Sequence, residues 1–206
     1  MLRSLPIIVI AALAAVPAAA EPLLVRLLDT RGQPVKDAVV TFRPAGAAAH
    51  KPAMSGRYTV SQKDLQFHPF VLVVPVGARV SFPNRDPMRH HVYSFSPAKR
   101  FELKLFAKDQ SRSVVFDKPG VVALGCNIHD GMTAFIVVSN SPYTAKSGAD
   151  GIARISAPAG GGHLSVWHPY LRARANLVER NVAPAERNVS FNVALRAPPM
   201  AMGSDY

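Results

Sequence analysis

Cysteine is nearly absent from this 206-residue chain; there is one, Cys126. A disulfide within the chain is therefore excluded, and so is any metal centre that needs a pair of thiolates. Charged residues are scarce, at 18%. Helical periodicity is missing from the middle of the chain. No segment between residues 57 and 139 keeps apolar residues at i, i+3, i+4 and i+7 over three turns, so helix content should be low. Past residue 20 no apolar run approaches ~20 residues, which argues against a membrane span in the mature chain. No Gly-x-Ser-x-Gly elbow is present, so an esterase-type nucleophile is not indicated.

The start of the chain reads as an export leader, residues 1–20. Arg3 gives a positive beginning, an apolar run follows from Leu5 to Val16, and Ala18, Ala19 and Ala20 offer a small-residue cleavage site. There is no twin arginine, so export in the unfolded state and a periplasmic location are expected, with any metal loaded after export. A lone thiol in an oxidising compartment is a liability unless burial or a metal holds it. Lys and Arg exceed Asp and Glu by eleven, and loss of Arg3 leaves ten. The basic residues are scattered rather than interleaved with stacking aromatics. Nucleic acid is therefore not the expected partner; an acidic protein surface is.

Short apolar runs rich in Val, ending at Gly, Pro or Asn, and eighteen prolines point to an all-β sandwich. Predicted strands run over 23–28, 38–42, 57–60, 71–74, 78–82, 91–95, 100–106, 111–116, 121–126 and 132–138. Asn140-Ser141-Pro142 reads as a linker. Further strands are expected over 151–155, 163–167 and 189–195, and a disordered tail over 197–206. This divides the chain into N-terminal strands at 21–58, a central domain at 59–139 and a C-terminal β segment at 140–196. The last is short for an independent core. It either packs on the central sandwich or completes a small sandwich with the strands at 23–42.

The informative stretch is Gly125-Cys126-Asn127-Ile128-His129-Asp130-Gly131-Met132. It places a thiolate, an imidazole and a thioether at Cys-x2-His-x2-Met spacing in one tight loop. Thiolate and thioether are soft donors, imidazole suits copper, and a blue copper centre takes two His and one Cys with a weak axial Met. Zn²⁺ also accepts Cys and His, but it gains little from a thioether. The second histidine is expected from Phe82-Pro83-Asn84-Arg85-Asp86-Pro87-Met88-Arg89-His90-His91, where a loop opens a new strand. Neighbouring residues of a strand point to opposite faces, so one of the pair His90-His91 reaches the loop. A binuclear copper centre needs two cysteines, and the chain lacks the His-x-His pair that substrate-binding copper would use.

These residues resemble the cupredoxin family, and especially the short ligand loop and the first-ligand segment of amicyanin. The resemblance covers residues 59 to 139 and implies a Greek-key β-sandwich holding one type 1 copper. It implies metal ligands His90, Cys126, His129 and Met132, and an electron port at the His129 ring edge through a patch including Pro87, Met88 and Gly131. His91 stands where relatives carry an Asn that braces the loop; Asn84 and Asn127 are the candidates to replace it. Three runs look like the methylamine-utilization cupredoxin-like proteins: His90 to Pro97, Phe116 to Gly120, and Gly125 to Asp130. The flanks, through Gly32 to Ala38, Asp150-Gly151 and Trp167-His168-Pro169, look like a small prealbumin-type or carboxypeptidase-regulatory sandwich. The expectation is a monomeric electron carrier, not an enzyme, with a transient, acidic redox partner. A copper carrier using the same four ligands is the alternative. His50, His68, His163 and His168 read as surface or hydrogen-bonded histidines. Asp130 reads as a turn residue, and Met54 and Met88 as candidates to line a copper entry route.

Overall fold

The computed structural model describes residues 22–46, 52 and 56–198. The expected leader at 1–20, His50, Met54 and the tail from 199 lie outside the described residues. Among the described residues the chain is all-β, with one 3-10 turn at Arg174–Asn176. No helix among them is long and apolar enough to cross a membrane.

The strands, in chain order, are β1 (Leu23–Asp29), β2 (Val39–Pro44), β3 (Tyr58–Thr59), β4 (Ser61–Lys63), β5 (Gln66–His68), β6 (Val71–Pro75), β7 (Ala78–Pro83), β8 (His90–Ser96) and β9 (Lys99–Phe106). Then come β10 (Ser111–Phe116), β11 (Gly120–Gly125), β12 (Thr133–Ser139), β13 (Thr144–Lys146), β14 (Ile152–Ile155), β15 (Gly162–Trp167), β16 (Leu177–Val182) and β17 (Asn188–Val193). Alternation decides which face each buries. In β7 it is Ala78, Val80 and Phe82 that point inward, and in β12 Ala134, Ile136 and Val138.

Two sandwiches result. In the central one the sheet β6-β12-β11-β8-β9 faces β10-β7-β3. Phe82, Phe106, Phe116 and Ile136 fill the space between, and Cys126 and Met132 belong to the same core. The second sandwich is built from both ends of the chain. β1 pairs with β14 antiparallel and with β17 in parallel, while β2 lies between β13 and β15, with β16 outside. Leu23, Val25, Leu27, Phe42 and Leu164 form its core. The flanks thus complete a sandwich with each other, and that sandwich also packs on the central one. Val39, Trp167 and Leu177 meet Phe70, Val71, Phe135 and Val137 at the seam. Lys146 Nζ pins it, donating to the Val71 carbonyl at 2.8 Å while pairing with Asp37 at 2.7 Å.

Four strands were not predicted from sequence. β4, β5 and β13 are three residues each, too short to display a period. β16, Leu-Val-Glu-Arg-Asn-Val, is a polar edge strand. The expected linker at 140–142 is instead packed: Ser141 is buried, and its hydroxyl donates to the Phe42 carbonyl at 3.1 Å. β13 follows at once.

Candidate metal centre

The segment between β7 and β8 is shaped by one buried side chain. Asn84 is fully buried, so its amide must find partners inside the protein. Nδ2 donates to the carbonyls of Met88 (2.7 Å) and Phe106 (3.1 Å), and Oδ1 accepts from the Asp86 amide at 2.9 Å. The loop is folded back on itself, and Asp86 is turned inward. One Asp86 oxygen meets His90 Nε2 at 2.6 Å, and the carboxylate also accepts from the amides of Asp64 (2.7 Å) and Leu65 (3.2 Å). His90 is 0% exposed. Its Nε2 is committed to Asp86, which leaves Nδ1 as the nitrogen able to bind a metal.

The second loop joins β11 to β12. The Cys126 amide donates to the Met132 carbonyl and the Met132 amide to the His129 carbonyl, both at 3.3 Å, so Met132 closes the turn that Cys126 opens. Gly131 takes φ +80°, a left-handed conformation in which an L side chain is strained. Gly125, just before the cysteine, has another reason to be glycine. A Cβ there would lie 2.8 Å from the ring of Tyr93, its cross-strand partner.

The two loops bring three donors together. His90 Nδ1 is 3.9 Å and His129 Nδ1 3.5 Å from Cys126 Sγ. All three ligand atoms lie within 4.8 Å of one another. Donors placed ~2.0 Å (nitrogen) and ~2.3 Å (sulfur) from one ion, at angles between tetrahedral and trigonal, are separated by about 3.5–3.8 Å. The observed spacing therefore fits a shared ion. Met132 is buried in the same apolar core as Cys126. His91 is also buried, but it turns away from the cluster, with Nε2 2.9 Å from Glu102. Asp130 is exposed. Of the other histidines, His168 is buried, with Nδ1 accepting from the Tyr170 amide, and His68 bonds the Lys63 carbonyl.

Burial alone would push the Cys126 thiol up. Hydrogen bonds from His90, the backbone of His91 and Ile128, and His129 outweigh it, and the pKa falls to about 6. Burial likewise pulls His90 down, but Cys126 and Asp86 hold it above the ordinary imidazole value. Asp86 is held low despite its burial, through His90 and the amides of Asp64 and Leu65. The cluster thus favours a thiolate beside charged or metal-bound imidazole.

Sequence reasoning passed over Asp86 and Glu102. The available signal was a carboxylate four residues before a candidate ligand histidine, since metal-bound imidazoles commonly give their second nitrogen to a carboxylate.

No protein-family model matches the chain, and no curated protein matches it. Solved structures do. The purple cupredoxin from Nitrosopumilus maritimus is 21% identical, with a TM-score of 0.37 over 40% of this chain and 99% of that one. A mutant of amicyanin in its reduced state is 25% identical, with a TM-score of 0.38 over 44% of this chain and 97% of that one. The Cu-containing nitrite reductase (NirK) from Thermus scotoductus SA-01 is 26% identical, with a TM-score of 0.39 over 55% of this chain and 28% of that one. Overlaps at this level carry no weight; the donor geometry does. His90, Cys126 and half-buried His129 form, among the described residues, a two-imidazole, one-thiolate cluster able to hold a single copper ion.

Proposed function

We propose that the chain is an exported type 1 copper protein that carries one electron at a time, and that His90, Cys126, His129 and Met132 would hold the copper. The observation that carries this reading is the pair of imidazole Nδ1 atoms facing one thiolate at 3.5 and 3.9 Å, in a loop closed by a buried methionine. Copper held there would supply one-electron chemistry between its cupric and cuprous states. The chain's own residues keep the donors in place through that change. Asp86 fixes the His90 ring, the Asn84-braced loop fixes Asp86, and the closed 126–132 turn fixes the other three donors. Little then has to move when the charge changes.

His129 is half-buried; exposed Ile128 and Gly131 lie in its own loop, and exposed Pro87 and Met88 lie in the loop that leads to His90. This is the proposed port for an acidic partner, drawn by the chain's excess of Lys and Arg. The runs that resemble methylamine-utilization proteins make a methylamine-oxidising system the proposed pathway. The export leader read in residues 1–20 makes the periplasm the proposed location.

The test is to add Cu(II) to the purified chain and record its visible spectrum. An intense band near ~600 nm, absent from Cys126→Ala and bleached and restored by reduction and reoxidation, is expected of a copper–thiolate bond. A colourless product sinks the assignment. A site that binds copper(I) and hands it on, but does not cycle, would favour the copper carrier.

A further inference from the structure

The β4–β5 hairpin turns on residues poorly suited to its turn. Ser61, Gln62 and Lys63 pair with His68, Phe67 and Gln66, which leaves Asp64 and Leu65 as a two-residue connection. Both are left-handed, with φ +53° and +57°. A turn of this hand matches the twist of the strands it joins, but it favours Asn-Gly, because a Cβ is strained there. Leucine is an outlier in that conformation. The Leu65 side chain does not explain the choice, since it is exposed rather than packed in the core. Conformations of this kind persist where the surroundings hold them, and they gather at ligand clamps.

What holds this turn is Asp86. The Asp64 amide donates to one carboxylate oxygen at 2.7 Å and the Leu65 amide to the other at 3.2 Å. The second of these, Oδ2, is the oxygen that meets His90 Nε2 at 2.6 Å. The left-handed turn thus aims two successive N–H groups at a carboxylate that is itself buried. The other end of the hairpin is fixed by Gln62, which is 0% exposed. Its Nε2 donates to the Pro83 carbonyl at 3.3 Å, its own carbonyl accepts from the Arg85 amide at 2.8 Å, and it bridges Asn84 in parallel. These contacts set β4 against the end of β7, where the loop carrying Asp86 begins. Opposite Gln62, Phe67 is buried in the central core. The anchor leaves Gln62 Oε1 buried with no partner among the described residues. An apolar side chain would avoid that orphan but could not reach Pro83.

We propose that the β4–β5 hairpin is a positioning clamp for the metal centre: Gln62 anchors it to the end of β7, and its Asp64–Leu65 turn holds the Asp86 carboxylate on His90 Nε2. The inference rests on the copper reading for its effect on the metal but not for its geometry. Asp86 is held from two sides, by Asn84 of its own loop and by the amides of a separate hairpin. Moving those amides should free the carboxylate to swing, and the His90 ring with it.

Three variants of the full chain test this. A glycine inserted between Asp64 and Leu65 enlarges an exposed turn, where an added residue is tolerated, and displaces the two amides. Gln62→Met removes the anchor but keeps an unbranched side chain of similar size. Leu65→Gly keeps both amides and the left-handed turn. In the metal-free chain the His90 Nε2 proton, followed by NMR, should exchange about tenfold faster in the first two, the effect of losing roughly one hydrogen bond, and at the parental rate in Leu65→Gly. In the copper-loaded chain, chelator competition should show about tenfold weaker affinity and the visible band should shift in the first two, with Leu65→Gly again parental. Parental exchange, affinity and band in the glycine insertion would overturn the proposal, whether or not Gln62→Met folds. So would a Leu65→Gly chain as impaired as the insertion. A parent that takes up copper without a band near ~600 nm would instead overturn the proposed function, and the exchange contrast would still decide for or against the clamp.

Discussion

Asp86→Ala is the substitution with the most to lose. It leaves His90 Nε2–H, at 0% exposure, facing a hole where water has little access, and strips the acceptor from the amides of Asp64 and Leu65. A hydrogen bond to a charged group contributes roughly 1.5–3 kcal/mol, and a buried donor left unpaired costs ~1–3 kcal/mol. The two loop amides are only part-buried, so water replaces much of what they lose. Together these give about 2.5–6 kcal/mol of folding stability, which brackets the ~3–5 kcal/mol lost when one member of a buried charged pair is removed. Metal affinity should fall as well, by roughly 10–100-fold, because the His90 ring is no longer oriented. Denaturant unfolding of the metal-free chain measures the first effect. Competition with a copper chelator measures the second. Asp86→Asn keeps one acceptor and should lie between parent and Asp86→Ala in both. A loss below ~1 kcal/mol together with unchanged copper affinity would show that Asp86 does not hold His90.

Two further outcomes are expected. In the metal-free chain the Cys126 thiol should titrate near pH 6, followed by its ultraviolet thiolate absorption, against about 8.5 for a free thiol; a midpoint near the latter would refute the hydrogen bonding assigned to it. Because the folded value is depressed, this group contributes stability that is complete above ~8.5 and lost as pH falls through 6, while His90, raised, contributes one that is present at low pH and lost as pH rises through its folded value. Gly125→Ala should cost about 1–3 kcal/mol through the 2.8 Å approach to Tyr93, and Tyr93→Ala in the same chain should recover part of it; additive losses in a double-mutant cycle would refute the contact.

The part of the cluster made by Cys126 and His129 was legible because a seven-residue loop is a local object: donor types and spacing are written in consecutive letters. Strand alternation made it legible that one of the adjacent pair His90-His91 faces the loop, and the resemblance to amicyanin, not the alternation, pointed to His90. The long central strands were legible from their period, as in β7 and β12.

What surrounds the donors is not local. Asp86 reads in sequence as a loop residue beside a proline; only the turn locked by Asn84, which needs the Phe106 carbonyl of another strand, points its carboxylate at His90. Glu102 lies eleven residues from His91, and its partnership depends on a bulge that no periodicity announces. The flanking strands left two arrangements open because a β-strand states which face is apolar but not which edge it joins. Pairing of β1 with β14 and β17 brings the two ends of the chain into one sandwich, and the apolar seam at Phe135 and Trp167 sets it against the central sandwich. The sequence alone determined the Cys-x2-His-x2-Met loop and the all-β class, through short-range chemistry and period. The tertiary structure decided their support, because hydrogen-bond partners and sheet edges are chosen by residues far apart in the chain.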